Sequence, residues 1–444
     1  MSILALIHLG LALGSSASII PRAENEPRFL SYPIVHRKRD ARLAGRDTEV
    51  TLHNQSVTTY LFELDIGTPP QRVEVVLDTG SFELWVDPKC SGASTADQTA
   101  SCKKAGAYDP NSSSTVVDME AENQLPYGKG IVNVAYVADS IKLPGSGSTQ
   151  TLKEVIFGVG LDSEDLAYGI AGVGHGKDYN LVYSNLIDEL YLQGVTNSRA
   201  FSVALGSKDA SDGGSVIFGG VDTKKFTGNL VAFQNLPPQI EQGQTGLYRY
   251  WIQLNSVGIT KPGSKSTTYA NSALPIVLDT GATMSYLPQS VINQFVTDFK
   301  ADVLDDGSMQ VPCETASQAG TVDFTFGSLT IRVPFHEFIW EVVPGGCVIA
   351  AAPAGQTTAI LGDSFLRSAY VVFDQSNDEI LLAQYKNCGT NEHELPAGVG
   401  AAANFTGECK GGSSVKGGAT AARSSVWAVA AVALGLQALF VLVL

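Results

Sequence analysis

The sequence predicts an all-β fold of two similar lobes, and three observations predict it. The first is a repeat. Val75-Val76-Leu77-Asp78-Thr79-Gly80-Ser81 is an apolar run ending in Asp-Thr-Gly, and Ile276-Val277-Leu278-Asp279-Thr280-Gly281-Ala282 repeats it 201 residues later. From average residue usage, two chance Asp-Thr-Gly triplets in one chain of this length have odds below about one per cent. The second is a companion repeat. Gly169-Ile170-Ala171-Gly172 follows the first copy, and Ile360-Leu361-Gly362 follows the second. Each half thus reads as a buried strand ending in Asp-Thr-Gly, then an apolar-apolar-Gly element, with one Asp per lobe where the lobes meet. The third is the texture between these landmarks, which consists of short β-branched and aromatic runs broken by Gly, Asn, Asp and Ser.

In chain order the predicted strands include Thr59–Ile66, Arg72–Leu77, Ile131–Val137, Phe201–Leu205, Ser215–Phe218, Tyr370–Phe373 and Ile380–Gln384. Two helices interrupt them. Asn185–Gln193 has Leu186 and Leu190 spaced i,i+4, with Gly194 as its stop. Ser290–Lys300 puts Val291, Phe295 and Phe299 on one face.

Composition agrees with this class. The 444 residues predict two or three domains. The 44 % apolar content is enough for a sizeable core and excludes collagen-like and disordered chains. Charged residues are 16 %, and the net charge is −15. No excess of basic charge exists to meet phosphates, so a nucleic-acid partner is excluded. The six His are scattered and no CxxC occurs, so no metal and no cofactor is expected.

The two ends read as addresses. Residues 1–18 carry the apolar run Ile3–Leu13 and then small residues, the pattern of a secretory signal. Arg37-Lys38-Arg39 before Asp40 reads as a processing site, which makes 19–39 a pro-peptide. The last nineteen residues, Val426–Leu444, are uncharged, with nothing basic after them. Small residues and a polar spacer precede them, the arrangement of a GPI-attachment signal, with Gly412, Ser413 or Ser414 as the attachment residue. The expected layout is an N-terminal lobe over 40–235, a C-terminal lobe over 236–388, a stalk over 389–413, and a removed signal over 414–444. Sequons at Asn54, Asn111 and Asn404 suit a secreted chain. So does an even set of cysteines, Cys90, Cys102, Cys313, Cys347, Cys388 and Cys409. Several connectivities are possible; sequential pairing closes each loop within one lobe.

Two carboxylates pressed together in a poorly solvated place cannot both ionise cheaply. One proton affinity rises, the other falls, and the pair shares a proton. Such a pair suits general acid–base chemistry: one Asp draws a proton from water while the other donates to a carbonyl oxygen. Attack of water on an amide needs both at once.

The motifs resemble those of the pepsin-like aspartic endopeptidases, in particular the fungal, yapsin-like, GPI-anchored type. The resemblance runs from about Thr59 to Lys386. It rests on Ile66-Gly67-Thr68-Pro69-Pro70-Gln71, Leu84-Trp85-Val86, Asn185-Leu186-Ile187-Asp188, Phe201-Ser202, Phe218-Gly219-Gly220-Val221-Asp222, Tyr250-Trp251 and Ile360-Leu361-Gly362-Asp363. It implies a bilobal fold with the active site in the cleft, and Asp78 and Asp279 as the catalytic pair. It implies that Ser81 braces the first carboxylate, with Thr79, Gly80, Thr280, Gly281 and Thr283 in support. Tyr127-Gly128 matches the tip of a flap that closes over substrate, and Trp85 matches the partner of the flap tyrosine. The implied loop disulfides are Cys90–Cys102 and Cys313–Cys347, while Cys388–Cys409 falls largely beyond the lobe. The implied partners are extended peptide or protein substrates, pepstatin-type inhibitors, and a membrane met through the lipid anchor at the end of the secretory pathway. The chain is expected to act as a monomer.

Two departures from the family pattern carry expectations. Ala282 stands where a hydroxyl is usual, so Asp279 lacks a donor and an activity optimum at higher pH is expected. Lys129 sits beside the flap tip and should repel a basic substrate residue, so apolar residues are expected around the scissile bond. A catalytically silent binding protein on the same fold and yapsin-type cleavage at basic residues are the alternatives. A two-carboxylate glycosidase does not explain the duplicated Asp-Thr-Gly.

Overall fold

The computed structural model describes residues 27–38, 58–87, 89–93, 95–128, 130–144, 150–209, 214–241, 244–355 and 357–410. The signal segment, Arg39, Asn54, Lys129, Gly412 to Ser414 and the apolar tail lie outside them. Among the described residues, no helix is long and apolar enough to cross a membrane.

The first half is built on strands β1 (Leu30–Lys38), β2 (Thr58–Ile66), β3 (Gln71–Asp78), β4 (Leu84–Val86), β5 (Val117–Pro126), β6 (Ile131–Lys142), β7 (Thr151–Glu164) and β8 (Gly169–Gly172). Along β3 the side chains alternate, and Val73, Val75 and Leu77 turn inward. These strands extend a sheet that continues through Gly214–Phe218, Ala200–Ala204, Ala369–Asp374, Glu379–Tyr385, Phe226–Gln234 and Thr406–Glu408. The first and last thirds of the chain are therefore hydrogen-bonded into one platform. The second half adds a five-stranded sheet, ordered Trp251–Leu254, Leu274–Leu278, Ile360–Leu361, Ser285–Leu287 and Ala351–Pro353, and two four-stranded sheets.

The repeat seen in the sequence is a repeat of topology. β3 runs parallel to β8, with Asp78 opposite Gly172. Leu274–Leu278 runs parallel to Ile360–Leu361, with Leu278 opposite Leu361. Both predicted helices are present. Leu186–Leu192 starts on Asn185, whose side chain caps the amides of Ile187 and Asp188, and Asp188 completes the capping box. Gln289–Phe299 buries Val291, Ile292, Phe295 and Phe299, and Lys300 ends it in the left-handed region.

Two segments differ from expectation. Residues 30–38, placed in the pro-peptide by the basic triplet, form a strand between Gly214–Phe218 and β2. Leu30, Tyr32 and Ile34 are buried, and Tyr32 packs its ring on Phe62 and Phe218. Each such side chain contributes about 1.5–3 kcal/mol of apolar burial. Processing after Arg39 would therefore leave this strand seated in the sheet until something displaces it.

Residues 389–410, expected as a stalk, lie on the body. Glu392–Glu394 pairs with Gly220–Asp222, and Thr406–Glu408 pairs with Thr227–Asn229. Leu395 and Ala402 are buried with Phe226 and Tyr370, and the Cys388–Cys409 disulfide closes the loop. Two three-residue strands and two or three apolar anchors suffice to fold this segment back, too little for a periodic signal.

One buried group couples this fold to pH. His175 is 2 % exposed, and neither ring nitrogen has a hydrogen-bond partner. Tyr179, Tyr248 and Tyr250 surround it, and Asp378 Oδ1 lies 3.9 Å away. Burial is the main cause of its lowered proton affinity, with a pKa of about 4 against an ordinary 6.5, although Asp378 and Asp188 oppose the shift. The unfolded chain binds the proton first, so stability is intact above pH 6.5 and is lost as pH falls toward 4. A His175→Phe variant is expected to gain up to about 3 kcal/mol on wild type at pH 4 relative to pH 7. Urea unfolding at the two pH values measures it.

Candidate active site

The two Asp-Thr-Gly loops meet head to head. Thr79 N donates to Thr280 Oγ1 at 3.1 Å, and Thr280 N donates to Thr79 Oγ1 at 3.0 Å. Each threonine hydroxyl then donates across the boundary, Thr79 to Leu278 O at 2.9 Å and Thr280 to Leu77 O at 2.7 Å. All four bonds are buried, so the relative position of the halves is fixed beneath the carboxylates.

Above this lock, Gly80 N donates to Asp78 Oδ1 and Gly281 N to Asp279 Oδ1, both at 2.8 Å. Glycine is required here by close approach, since neither residue adopts a left-handed φ. A Cβ on Gly80 would stand 2.5 Å from the Asp279 carboxyl, and one on Gly281 would stand 2.5 Å from Asp78 Oδ1. The second carboxyl receives less support than the first. Ser81 Oγ donates to Asp78 Oδ2 at 2.5 Å, while Ala282 offers Asp279 no hydroxyl.

Asp279 holds its proton well above the ordinary carboxylate range. Burial is the main cause, followed by the negative charge of Asp78; the hydrogen bond between the two carboxyls acts in the same direction. The Gly281 amide and the Arg249 guanidinium oppose the shift. The pair is thus arranged to hold a single proton, with Asp279 as its keeper.

The hairpin of β5 and β6 forms the roof. It turns at Tyr127, whose amide donates to Gly130 O at 2.7 Å. Gly128 is exposed, with open space about it. Trp85 Nε1 donates to Tyr127 Oη at 2.9 Å, and Tyr127 lies within electrostatic reach of Asp78. Burial and the nearby Asp78 charge push the Tyr127 phenol far up, so it stays neutral and can act as a donor.

Thr283 does not support the carboxyls as expected. Its carbonyl accepts from the Ser364 amide at 3.3 Å, because the chain has already turned away to receive Asp363 N on Ala282 O. Sequence reasoning missed Glu83 and Arg249. Glu83 Oε2 accepts from Tyr136 Oη and Tyr183 Oη, both at 2.6 Å, and its charge is felt at Tyr127. Arg249 Nη1 donates to Gly80 O at 3.1 Å. Neither belongs to a repeated motif; the fold brings Arg249 to the Asp78 loop and Glu83 to the tyrosines beneath the flap. The three disulfides are Cys90–Cys102, Cys313–Cys347 and Cys388–Cys409. Asn111 and Asn404 are both exposed.

Ala282→Thr supplies the missing donor. The variant is expected to bind the shared proton less tightly, and the alkaline limb of its activity profile should move to lower pH by about half a unit to one unit. An unchanged profile would remove Ala282 from the account.

Residues 59–385 match the family model described as eukaryotic aspartyl protease. A probable aspartic-type endopeptidase of Aspergillus oryzae is 35 % identical over 82 % of this chain and 76 % of its own length. Aspartic proteinase yapsin-3 of Saccharomyces cerevisiae is 32 % identical over 77 % of this chain and 68 % of its own length. The crystal structure of an aspartic proteinase from Irpex lacteus superposes with a TM-score of 0.59 at 20 % identity, covering 82 % of this chain and all of that one. With the paired Asp-Thr-Gly loops and the fold they lock together, these matches place the chain in the eukaryotic aspartyl protease family, as an aspartic-type endopeptidase.

Proposed function

We propose that Asp78 and Asp279 are the catalytic pair of a cell-surface endopeptidase made in the secretory pathway. Asp78, ionised, takes a proton from a water between the carboxyls. Asp279, protonated, donates to the substrate carbonyl oxygen as that water attacks. No covalent intermediate forms. The two Asp-Thr-Gly loops locked head to head, with each glycine against the opposite carboxyl, are the observation that carries this reading. Tyr127 and Gly128 close the hairpin over an extended peptide, which the strand edges hold by main-chain bonds.

Three disulfides support an oxidising destination. The apolar tail after Gly412, Ser413 and Ser414 supports GPI attachment at the plasma membrane or cell wall. The chain acts as a monomer on peptide and protein substrates and is inhibited by pepstatin-type compounds.

Lys129 beside the flap tip supports apolar residues around the scissile bond. A second reading, cleavage at basic residues, is favoured by Glu83, a carboxylate within electrostatic reach of Tyr127. Cleavage-site profiling of the purified ectodomain on a peptide library, with and without pepstatin, decides between them. Apolar flanks and pepstatin sensitivity support the proposal. Dominant cleavage after Lys or Arg transfers specificity to Glu83, and an absence of cleavage identifies a silent binding protein.

A further inference from the structure

Arg249 stands beside the carboxyl pair, yet no part of the mechanism above uses it. It precedes the strand Trp251–Leu254, which pairs with the strand leading into Asp279. Its neighbours fix its backbone from both sides. Tyr248 N donates to Asn180 Oδ1 at 3.0 Å, and Tyr250 Oη donates to Val173 O at 2.7 Å. From this anchored position the side chain crosses to the first half and donates to the carbonyl of Gly80, the residue whose amide holds Asp78. Its Nε is buried without a hydrogen-bond partner. That desolvation cost is borne by a guanidinium whose charge acts on Asp279, the carboxyl that lacks a hydroxyl such as Ser81 gives Asp78.

We propose that Arg249 is a positioning residue for the carboxyl pair, tying the Asp78 loop to the opposite lobe and offsetting the missing hydroxyl at Ala282 with a fixed positive charge. The inference rests on the reading of Asp78 and Asp279 as catalytic. The ionisable groups acting around the pair are Asp78 and Arg249 on Asp279, Tyr286 beside Asp279, and Tyr127 with Glu83 on the flap side. Only Arg249 among these is a cation. Removing it lets Asp279 hold its proton more tightly, so the alkaline limb of the pH profile moves up.

The test is the pH dependence of kcat/KM for Arg249→Met and Arg249→Lys, with thermal unfolding as the check on folding and Asp279→Asn as the activity control. Arg249→Met is expected to displace the alkaline limb upward by about half a pH unit or more and to lower kcat more than it changes KM. Arg249→Lys, which keeps the charge, is expected to stay close to wild type. Should Arg249→Met fail to fold, Arg249→Gln, which keeps a donor for Gly80 O without the charge, gives the same readout. A folded neutral variant whose profile superimposes on wild type overturns the proposal, as does a Lys variant displaced as far as the neutral one. Full activity in Asp279→Asn would instead overturn the catalytic reading itself.

Discussion

Asp78→Asn and Asp279→Asn are each expected to lower kcat by at least about 10³-fold, with the folded state retained. Asparagine keeps the shape of the side chain and an oxygen for the Gly80 or Gly281 amide, so the bonds at 2.8 Å survive. What is lost is the proton economy. An amide at 78 cannot draw a proton from water, and an amide at 279 cannot receive the proton back. Asp279→Asn also removes the carboxyl whose proton is held by burial and by the charge of Asp78. That variant should therefore be at least as stable as wild type. Turnover of one good peptide substrate, read beside thermal unfolding, separates loss of chemistry from loss of fold.

Glu337→Ala is expected to cost roughly 3–5 kcal/mol of stability. Arg367 is 2 % exposed and is the largest charged side chain in the core. Its Nε donates to Glu337 Oε2 at 3.1 Å and its Nη2 to Glu337 O at 3.2 Å, and its guanidinium lies over the Trp340 ring at 4.6 Å. Nη1 reaches Tyr60 Oη on β2 at 3.5 Å, so this charge joins the first and last thirds of the chain. Glu337 also accepts from the Lys208 amide at 3.1 Å and from the Ser207 hydroxyl. Removing its carboxylate leaves the buried guanidinium with Asp363 as its remaining nearby carboxyl and without two of its hydrogen-bond and charge contacts. The paired replacement Glu337→Met with Arg367→Met should recover only part of the loss, because the buried Asp363 then loses the cation it faces. Denaturant unfolding of the three variants measures both effects.

Much of the site was legible because it is written twice. An apolar run that stops at Asp-Thr-Gly must place its Asp at the end of a buried strand, and β3 and Leu274–Leu278 do so. The helix at Leu186–Leu192 was legible because Asn185 and Gly194 punctuate it. The flap strand β5 was not predicted because, of its residues, only Leu125 is buried, which leaves no alternation to read. Glu83 and Arg249 lie beside the Leu84-Trp85-Val86 and Tyr250-Trp251 motifs, but their meaning lies in contacts to Gly80, Tyr136 and Tyr183 that sequence spacing does not encode. Residues 389–410 read as a polar stalk because strand pairing of three residues is too short to leave a pattern.

The central claim is that one proton is shared between Asp78 and Asp279. The pH profile of kcat/KM for the wild-type ectodomain tests it most directly. The account predicts a bell with two ionisations, the upper one above the ordinary carboxylate range because burial and Asp78 hold the proton on Asp279. A profile with a single limb, or an upper limb that falls within the range of isolated carboxylates, would contradict it.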